Sequence, residues 1–489
     1  MAQPRRGNVA RFVKRVEKLL TETAAAQATW GILVVDAESG ETLYSLNAGK
    51  HFIPASNMKL FSTAFALARL GPEFRFRTTL ETHGTLSSEG KLEGDLFLVG
   101  RGDPNLSNRN FPFAKEPETD GPPEKVLAEL ADALAAHGVR EITGDIVADD
   151  SYFPPERYPS GWEIDDMVWQ YGAPVSAIAV NDNTTTLTLT AGAGAGDPVA
   201  ASIEPWTEDF VVQNGVVTSA AAIKSDIVLT REPGARLVVV RGTIPAGSAP
   251  RKLVVAIEKP AEQAAALLRR LLEDRGVKIG GCARVTHAPE ASAGAATVLA
   301  EHMSVSLAEA MRPINKMSLN LHTEMLLRAA ARQKGLWSKP EELVDQVTQF
   351  YQEAGIEKGD VVFLDGSGLS RHDLVTPRAT VRLLQYVKRQ PWAAVYFDSL
   401  PVAGQDGTLA DRLKEWPAAG RIHAKTGSLE HVAALSGYAE TLAGREVIFS
   451  IFANNSAAKN HDVATAIDRI CAAMVEELGA KPRPAKKKR

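Results

Sequence analysis

A serine and a lysine three residues apart could supply a nucleophile and its base. Ser56 and Lys59 lie at the start of an apolar pattern of helical period that stops at Gly71-Pro72. Residues three apart share one helix face, so the Lys59 amine can take the proton of the Ser56 hydroxyl. The helix N-terminus also favours a developing anion. The alternative is structural: Ser56 caps the helix and Lys59 is a solvated side chain.

Two further motifs lie far downstream. Ser318-Leu319-Asn320 falls in a helix-rich segment, and Lys425-Thr426-Gly427-Ser428 precedes a strand-like run. Each recurs by chance when taken singly, because Ser-x-Asn is common and Lys-Thr-Gly could be an ordinary turn. Three such motifs in one order make a shared catalytic site the better interpretation.

Composition bounds the class of protein. With 489 residues the chain is too long for one hydrophobic core, so about two to four domains are expected. Its 55 Lys and Arg against 59 Asp and Glu give a net charge of −4, which argues against a nucleic-acid partner. No apolar run could span a membrane, and no signal peptide is visible. Whether Cys282 and Cys471 pair stays open.

Periodicity predicts mixed helices and strands at both ends of the chain. Strands are expected over 30–35 and 41–47, and an antiparallel hairpin over 435–440 and 446–454. The helical pattern of residues 305–334 contains Pro313, which lacks a backbone N–H. We therefore expect that helix to kink or break at Pro313.

The middle of the chain has a different pattern. Residues 174–255 are rich in threonine and valine runs of strand type, separated by a short Ala-Gly tract. We expect a separate β-rich domain there. Further helices are predicted over residues 123–137, 260–275, 340–354, 376–388 and 462–478.

The three motifs together resemble the penicilloyl-serine transferase superfamily. Further segments are similar to its D-Ala-D-Ala carboxypeptidase/endopeptidase branch, the class C low-molecular-mass penicillin-binding proteins. These segments are Gly102-Asp103-Pro104, Asp365-Gly366-Ser367-Gly368-Leu369-Ser370-Arg371 and Leu400-Pro401-Val402-Ala403-Gly404-Gln405-Asp406-Gly407-Thr408-Leu409. The resemblance covers the chain from about Trp30 to Glu476. It implies an α+β fold with a penicillin-binding/serine β-lactamase-like transpeptidase domain and a large β-rich insertion between the first and second motifs.

The resemblance also implies a division into domains. The expected parts are an N-terminal extension over 1–27, a discontinuous catalytic penicillin-binding domain over 28–73 and 286–478, an inserted α/β domain over 74–173 and 256–285, an inserted β-rich domain over 174–255, and a basic tail over 479–489.

The same resemblance implies a role for each motif residue. Ser56 would be the acylating nucleophile, and Lys59 its base, kept neutral by burial or a neighbouring cation. Ser318 would relay a proton to the leaving amine, and Asn320 would position Lys59. Lys425 would attract the terminal carboxylate of the substrate. Thr426 and Ser428 would hydrogen-bond that carboxylate. Gly427 would let the substrate approach the strand, because it has no Cβ.

Two further positions would hold the side chain of the stem peptide. By motif these are Asp149 and Arg371, although the adjacent Asp150 leaves the first choice ambiguous. The alternatives are a strand-end cap for Asp149 and a structural ion pair for Arg371. The histidines show no metal-ligand spacing, so we expect neither a metal nor a cofactor.

The predicted function is that of a serine DD-peptidase of peptidoglycan. It would act as a D-Ala-D-Ala carboxypeptidase, a DD-endopeptidase or both, through an acyl-enzyme on Ser56. Stem peptides would be its substrates and β-lactams its inhibitors. The resemblance implies an extracytoplasmic location, in the periplasm or on the cell-wall side. The alternatives are a β-lactamase or esterase of the same fold and a non-catalytic peptidoglycan-binding scaffold.

Overall fold

The structure is a computed structural model that describes residues 3–22, 26–114, 118–288, 295–332, 340–415 and 417–478. The predicted N-terminal extension lies partly within these ranges. The predicted basic tail lies outside them.

Helices occur along the whole described chain. They are α1 (Gln3–Glu22), α2 (Met58–Leu70), α3 (Lys125–Ala136), α4 (Pro260–Glu273), α5 (Leu307–Met317), α6 (Asn320–Arg332), α7 (Pro340–Glu353), α8 (Pro377–Lys388), α9 (Ala393–Ser399) and α10 (Asn460–Glu477).

Strands are concentrated between α2 and α5 and near the C-terminus. They are β1 (Thr29–Asp36), β2 (Thr42–Leu46), β3 (Arg77–Thr82), β4 (Thr85–Leu86), β5 (Lys91–Glu93), β6 (Leu96–Val99), β7 (Asp103–Leu106), β8 (Glu141–Ile142), β9 (Ile146–Asp149), β10 (Ile178–Val180), β11 (Thr184–Thr190), β12 (Ala200–Glu204), β13 (Val211–Ser219), β14 (Asp226–Arg231), β15 (Leu237–Pro245), β16 (Arg251–Ala256), β17 (Lys278–Ile279), β18 (Ala283–Thr286), β19 (Thr297–Met303), β20 (Val361–Val362), β21 (Leu374–Val375), β22 (Ile422–Leu429), β23 (Val432–Glu440) and β24 (Glu446–Asn454).

One antiparallel sheet joins the two ends of the chain. Its order is β2-β1-β24-β23-β22, and every neighbouring pair is antiparallel. The predicted C-terminal hairpin is confirmed as β23 and β24, with Ser436 opposite Ser450. Because β1 pairs with β24, the N-terminal strands are held against the last ones, and the Ser56 segment comes to the edge strand β22.

Both faces of this sheet are covered by helices. One hydrophobic core lies between the sheet and helices that include α2, α6 and α8, and a second lies on the opposite face under α1 and α10. Every residue of α2 from Met58 to Leu67 is buried. A helix buried on all sides leaves no face for a solvated lysine, so Lys59 is carried into the interior.

Of the predicted kink or break at Pro313, the break is wrong. Pro313 lies inside α5, which continues to Met317, and the chain turns at Ser318, whose φ is 64°. The missing N–H of Pro313 removes one helical hydrogen bond, but apolar side chains of α5 such as Met311 and Ile314 are fully buried. Packing therefore holds the helix past the proline, and the left-handed Ser318 ends it.

The segment between α2 and α5 forms separate sheets with their own cores. A five-stranded sheet of order β18-β9-β6-β3-β19 packs with α3 and α4. Two three-stranded sheets, β12-β11-β16 and β13-β15-β14, surround a further core that contains Leu187 and Val238. Helices and strands are thus both abundant, and the β-rich segment interrupts the part of the chain that carries the motifs. The domain boundaries stay a prediction.

Candidate active site

Ser56 lies on a tight turn that leads into α2. A 3-10 turn covers Ala55–Asn57 and continues directly into the helix. Ala55 has a φ of 47°, a left-handed conformation that costs about 1–2 kcal/mol for a non-glycine residue. Gly368 packs against it so closely that a Cβ there would lie 1.9 Å from the Ala55 carbonyl oxygen. This close packing fixes the turn that presents Ser56.

Lys59 is fully buried, and three oxygen atoms surround its amine. Nζ lies 2.9 Å from Oγ of Ser56, 2.6 Å from Oδ1 of Asn320 and 2.6 Å from the carbonyl oxygen of Ser367. A neutral amine has two N–H donors and one lone pair. With Asn320 and Ser367 accepting the two hydrogens, the lone pair faces the hydroxyl of Ser56.

The protonation of Lys59 is set by its surroundings. Burial lowers the pKa of Lys59 to about 7, because the ammonium form loses its hydration. The carboxylates of Asp365 and Glu324 act in the opposite direction and favour the ammonium form. Lys59 can therefore exist as a neutral amine near neutral pH, which a general base requires.

Ser318 and Asn320 reach the site from the junction of α5 and α6. The left-handed turn at Ser318 separates the two helices, and Asn320 opens α6. Oγ of Ser318 accepts a hydrogen bond from Nζ of Lys425 at 2.9 Å. The amide nitrogen of Asn320 donates to the carbonyl oxygen of Tyr171 at 2.8 Å, so its oxygen faces Lys59.

Lys425 is the second buried lysine of the site. It lies on β22 with no exposed surface, and Nζ also donates to the carbonyl oxygen of Thr426 at 3.2 Å. Burial and the positive charge of Lys59 hold the pKa of Lys425 well below its usual range. Two lysines share one desolvated region, so each disfavours the charged form of the other.

The rest of the third motif packs around the Ser56 turn. A Cβ on Gly427 would lie 2.6 Å from the carbonyl oxygen of Pro54, so this glycine permits close packing of β22 against the turn. The Thr426 hydroxyl donates to Oγ1 of Thr408 at 2.7 Å. Oγ of Ser428 accepts from Nδ2 of Asn460 at 3.1 Å, at the rim of the cleft.

A cleft of about 500 Å³ opens above these groups. Its wall includes Ser56, Ser318, Asn320, Ser428, Arg371 and the acidic side chains Glu163, Asp165 and Asp166. Nε of Arg371 donates to Oε1 of Glu163 at 2.6 Å, and its Nη1 donates to the carbonyl oxygen of Glu430 at 3.1 Å. A cation and several carboxylates therefore face each other across one end of the cleft.

The structure does not bring Asp149 into this cleft. Asp149 ends β9, and its Oδ1 accepts the backbone N–H of Ser151 at 2.9 Å, as a strand-end cap would. Asp150 bonds His287 and Ser176. The acidic residues that face Arg371 come instead from the loop before Tyr171. The motif-based choice of Asp149 is corrected because the chain runs on past β9 before it returns to the cleft.

Comparison with known proteins decides the family. The model of the D-Ala-D-Ala carboxypeptidase 3 (S13) family matches residues 12–474. The chain belongs to this family. A D-alanyl-D-alanine carboxypeptidase of Actinomadura sp. (strain R39) is 35% identical over 452 residues, which cover 90% of this chain and 80% of that protein. The D-alanyl-D-alanine carboxypeptidase DacB of Haemophilus influenzae is 26% identical, with 89% and 87% covered.

Solved structures agree with this S13 assignment. Penicillin binding protein 4 (dacB) of Haemophilus influenzae matches with a TM-score of 0.79 and 25% identity, covering 94% of this chain and 97% of that chain. A predatory peptidoglycan endopeptidase of Bdellovibrio bacteriovorus shares the fold, with a TM-score of 0.53 at 16% identity. The predicted α+β fold and the predicted serine DD-peptidase function are confirmed.

Three groups of this S13 peptidase site were missed by sequence reasoning. They are the Ser367 carbonyl and the buried carboxylates of Glu324 and Asp365. The Asp365–Ser367 stretch was recognised by resemblance, but nothing in it indicated contact with Lys59. Glu324 lies one helical turn after Asn320, and that spacing is the signal that could have found it.

The described residues contain neither a metal-binding cluster nor a membrane-spanning helix. Within them, no group of three or more His, Cys, Asp or Glu side chains is arranged to hold a metal ion. None of their helices has the length and low polarity needed to cross a bilayer.

Proposed function

We propose that Ser56 is the acylating nucleophile of this DD-peptidase and that Lys59 is its general base. The distance of 2.9 Å between Nζ and Oγ carries the proposal, together with the complete burial of Lys59. Burial lowers the pKa of Lys59 to about 7 and makes the neutral amine accessible. Asn320 and Ser367 take the two N–H donors of that amine and aim its lone pair at Ser56.

Acylation then proceeds by a proton transfer and a bond exchange. Lys59 takes the hydroxyl proton of Ser56 as Oγ bonds to the carbonyl carbon of the D-Ala-D-Ala peptide. The backbone N–H groups of Ser56 and Ser428 stabilise the oxyanion, and losing one such donor costs about 2.7–4 kcal/mol. The C–N bond breaks as the leaving amine gains a proton, and an ester on Ser56 remains.

Ser318 passes the proton to the leaving amine. Its hydroxyl oxygen is bonded to Nζ of Lys425, which leaves the hydroxyl hydrogen directed elsewhere, toward the bound amine. The proton that Ser318 gives up is replaced by the one that Lys59 took from Ser56, passed directly or through Lys425, so that Lys59 is a neutral amine again. Water then attacks the ester, with Lys59 again accepting a proton, and free Ser56 is restored.

Lys425 recognises the terminal carboxylate of the substrate. The approach of a carboxylate to a buried lysine favours the ammonium form and compensates for its lost hydration. Thr426 and Ser428 lie on the same strand and contribute hydroxyl groups to that carboxylate. Thr408 and Asn460 now bond these two hydroxyl groups. When the carboxylate binds, they either move aside or remain as further hydrogen-bond donors.

The end of the cleft near Arg371 holds the side chain of the stem peptide. Arg371 can receive a carboxylate, and the carboxylates of Glu163, Asp165 and Asp166 can receive an amine. This arrangement replaces the pair of Asp149 and Arg371 predicted from the motifs. A side chain that bears both an amine and a carboxylate fits the two signs of charge.

β-Lactams acylate the same serine, and peptidoglycan stem peptides are the natural substrates. A structure of the Haemophilus influenzae protein is described as complexed with a novel β-lactam, which supports the first point. The family name, D-Ala-D-Ala carboxypeptidase, supports the second. Because peptidoglycan lies outside the cytoplasmic membrane, we place the protein there, on the periplasmic or cell-wall side.

The test is intact-protein mass after incubation with a penicillin, beside Ser56→Ala. One equivalent of adduct that maps to Ser56 and is absent in the variant supports the proposal, and release of D-Ala from a pentapeptide is then measured. No adduct on the folded wild type would favour a non-catalytic scaffold. Rapid turnover of a chromogenic cephalosporin would favour a β-lactamase or esterase. An adduct that persists in Ser56→Ala would place the nucleophile elsewhere.

A further inference from the structure

A buried carboxylate outside the cleft acts on Lys59 electrostatically. Glu324 lies on α6 with 2% of its surface exposed, four residues after Asn320. Residues four apart share one face of a helix. The same face of α6 therefore presents both Asn320, which bonds Lys59 directly, and Glu324, which does not line the cleft.

Glu324 reaches Lys59 through a backbone turn. Its Oε1 accepts the N–H of Gly366 at 2.8 Å and the N–H of Ser367 at 2.7 Å. The carbonyl oxygen of Ser367 accepts from Nζ of Lys59 at 2.6 Å. One carboxylate oxygen thus holds the N–H of Ser367, the residue whose carbonyl oxygen receives a hydrogen of the base.

The turn is held from a second side as well. Oγ of Ser62, on α2, donates to the carbonyl oxygen of Gly366 at 2.7 Å. A Cβ on Gly366 would lie 2.7 Å from Cδ2 of Leu327, so the turn is packed against α6. The turn touches both helices, and only Glu324 binds its two N–H groups in the described structure.

We propose that Glu324 is a positioning residue for acylation: by holding the Gly366–Ser367 turn, it keeps the Ser367 carbonyl where it orients Lys59 toward Ser56. This inference rests on the proposed roles of Ser56 and Lys59. Glu324 makes no contact with substrate. Its side chain is long enough to accept hydrogen bonds from two backbone N–H groups, and it acts on Lys59 through them.

The length of the Glu324 side chain and its charge can be tested separately. Burial and the nearby Asp365 together raise the pKa of Glu324 to about 8, although Arg328 and the two N–H donors oppose the rise. A neutral side chain that still accepts the two N–H bonds should serve nearly as well. The titratable groups packed around this cluster are Lys59, Lys425, Asp365, Asp373, Arg328 and Glu156.

The experiment compares Glu324→Gln with Glu324→Asp. Gln keeps the length and the accepting oxygen but loses the charge, and Asp keeps the charge but is one methylene shorter. Acylation by a fluorescent penicillin is followed by stopped flow, which separates the binding constant from the first-order acylation constant. Thermal unfolding is recorded for each variant. Glu353→Gln and Glu353→Asp are the matched controls, because Glu353 lies on α7 and forms an ion pair with Arg69.

We expect Glu324→Gln to keep the acylation constant within about threefold and Glu324→Asp to lose at least about tenfold, with binding constants unchanged. The reverse order would mean that charge is what matters and would overturn the proposal. Wild-type rates in both variants would overturn it too. Glu324→Ala is a second variant with a shorter side chain. The loss of acylation can be tested on whichever of Glu324→Asp and Glu324→Ala folds. Wild type and Ser56→Ala run in parallel, so a failure of the Ser56 assignment is recognised separately.

Discussion

The Nζ atom of Lys425 lies 2.9 Å from the Oγ atom of Ser318. The same distance separates Nζ of Lys59 from Oγ of Ser56. Both lysines are buried, and burial lowers the pKa of each. Two desolvated amines cannot both be charged without a large cost. The site therefore disfavours two ammonium groups at once, which agrees with the proposed division into one neutral base and one cation.

The first prediction concerns pH. Only neutral Lys59 can accept the proton of Ser56, and burial lowers its pKa to about 7. The acylation rate constant should therefore increase as the pH rises through about 7 and then level off. An ordinary lysine titrates near 10.4. Acylation by a penicillin between pH 5 and 10 provides the measurement, and a rise centred near 10 would contradict the role of Lys59.

The second prediction concerns Lys425→Met. The variant removes the cation that we assign to the substrate carboxylate and keeps an unbranched side chain. A hydrogen bond to a charged group is worth about 1.5–3 kcal/mol, so kcat/KM for a peptide should fall about 10- to 100-fold. The matched substrate has its terminal carboxylate amidated. Equal losses for both peptides would show that Lys425 does not recognise that carboxylate.

The third prediction uses two glycines with nearly the same backbone conformation. Gly368 has a φ of 76° and Gly355 a φ of 75°. A Cβ on Gly368 would meet the Ala55 carbonyl oxygen at 1.9 Å, whereas a Cβ on Gly355 has nothing within 4 Å. Both alanine variants should lose about 1–2 kcal/mol of stability from the left-handed φ.

Only Gly368→Ala should also displace the turn that carries Ser56. We expect it to reduce penicillin acylation at least about 100-fold, while Gly355→Ala acylates as the wild type does. Thermal unfolding and acylation rates are measured on both. Full acylation by folded Gly368→Ala would mean that the turn does not depend on this contact.

The fourth prediction tests the corrected side-chain site. Arg371→Met should lower kcat/KM about tenfold or more for a peptide whose side chain bears an amine and a carboxylate. The same variant should have little effect on a peptide in which alanine replaces the residue with the charged side chain, because the interaction lost is a charge-assisted hydrogen bond to that side chain. Asp149→Asn is the control and should change neither value, since Asp149 caps β9 outside the cleft. A selective loss in Asp149→Asn would restore the motif-based assignment.

Much of the fold could be predicted from local patterns. The alternation over β23 and β24 and the short loop between them indicated a hairpin, which the structure confirms. The end of α5 was not predictable in this way. Pro313 is a strong local signal, yet the burial of Met311 and Ile314 outweighs it, and the chain turns five residues later at Ser318. Tertiary packing decides such cases.

By itself, the sequence determined the chemistry and the family. Ser56, Lys59, Ser318, Asn320 and Lys425 belong to short motifs whose residue types and order can be recognised without coordinates. Only the tertiary structure decided that Lys59 is buried, because that depends on every face of α2 being covered. It also decided that the Ser367 carbonyl accepts a hydrogen bond from Lys59 while Glu324 holds the N–H of Ser367. The acidic residues that line the cleft with Arg371 come from the segment before Tyr171, not from Asp149. Proximity between residues hundreds of positions apart follows from packing, which no local pattern encodes.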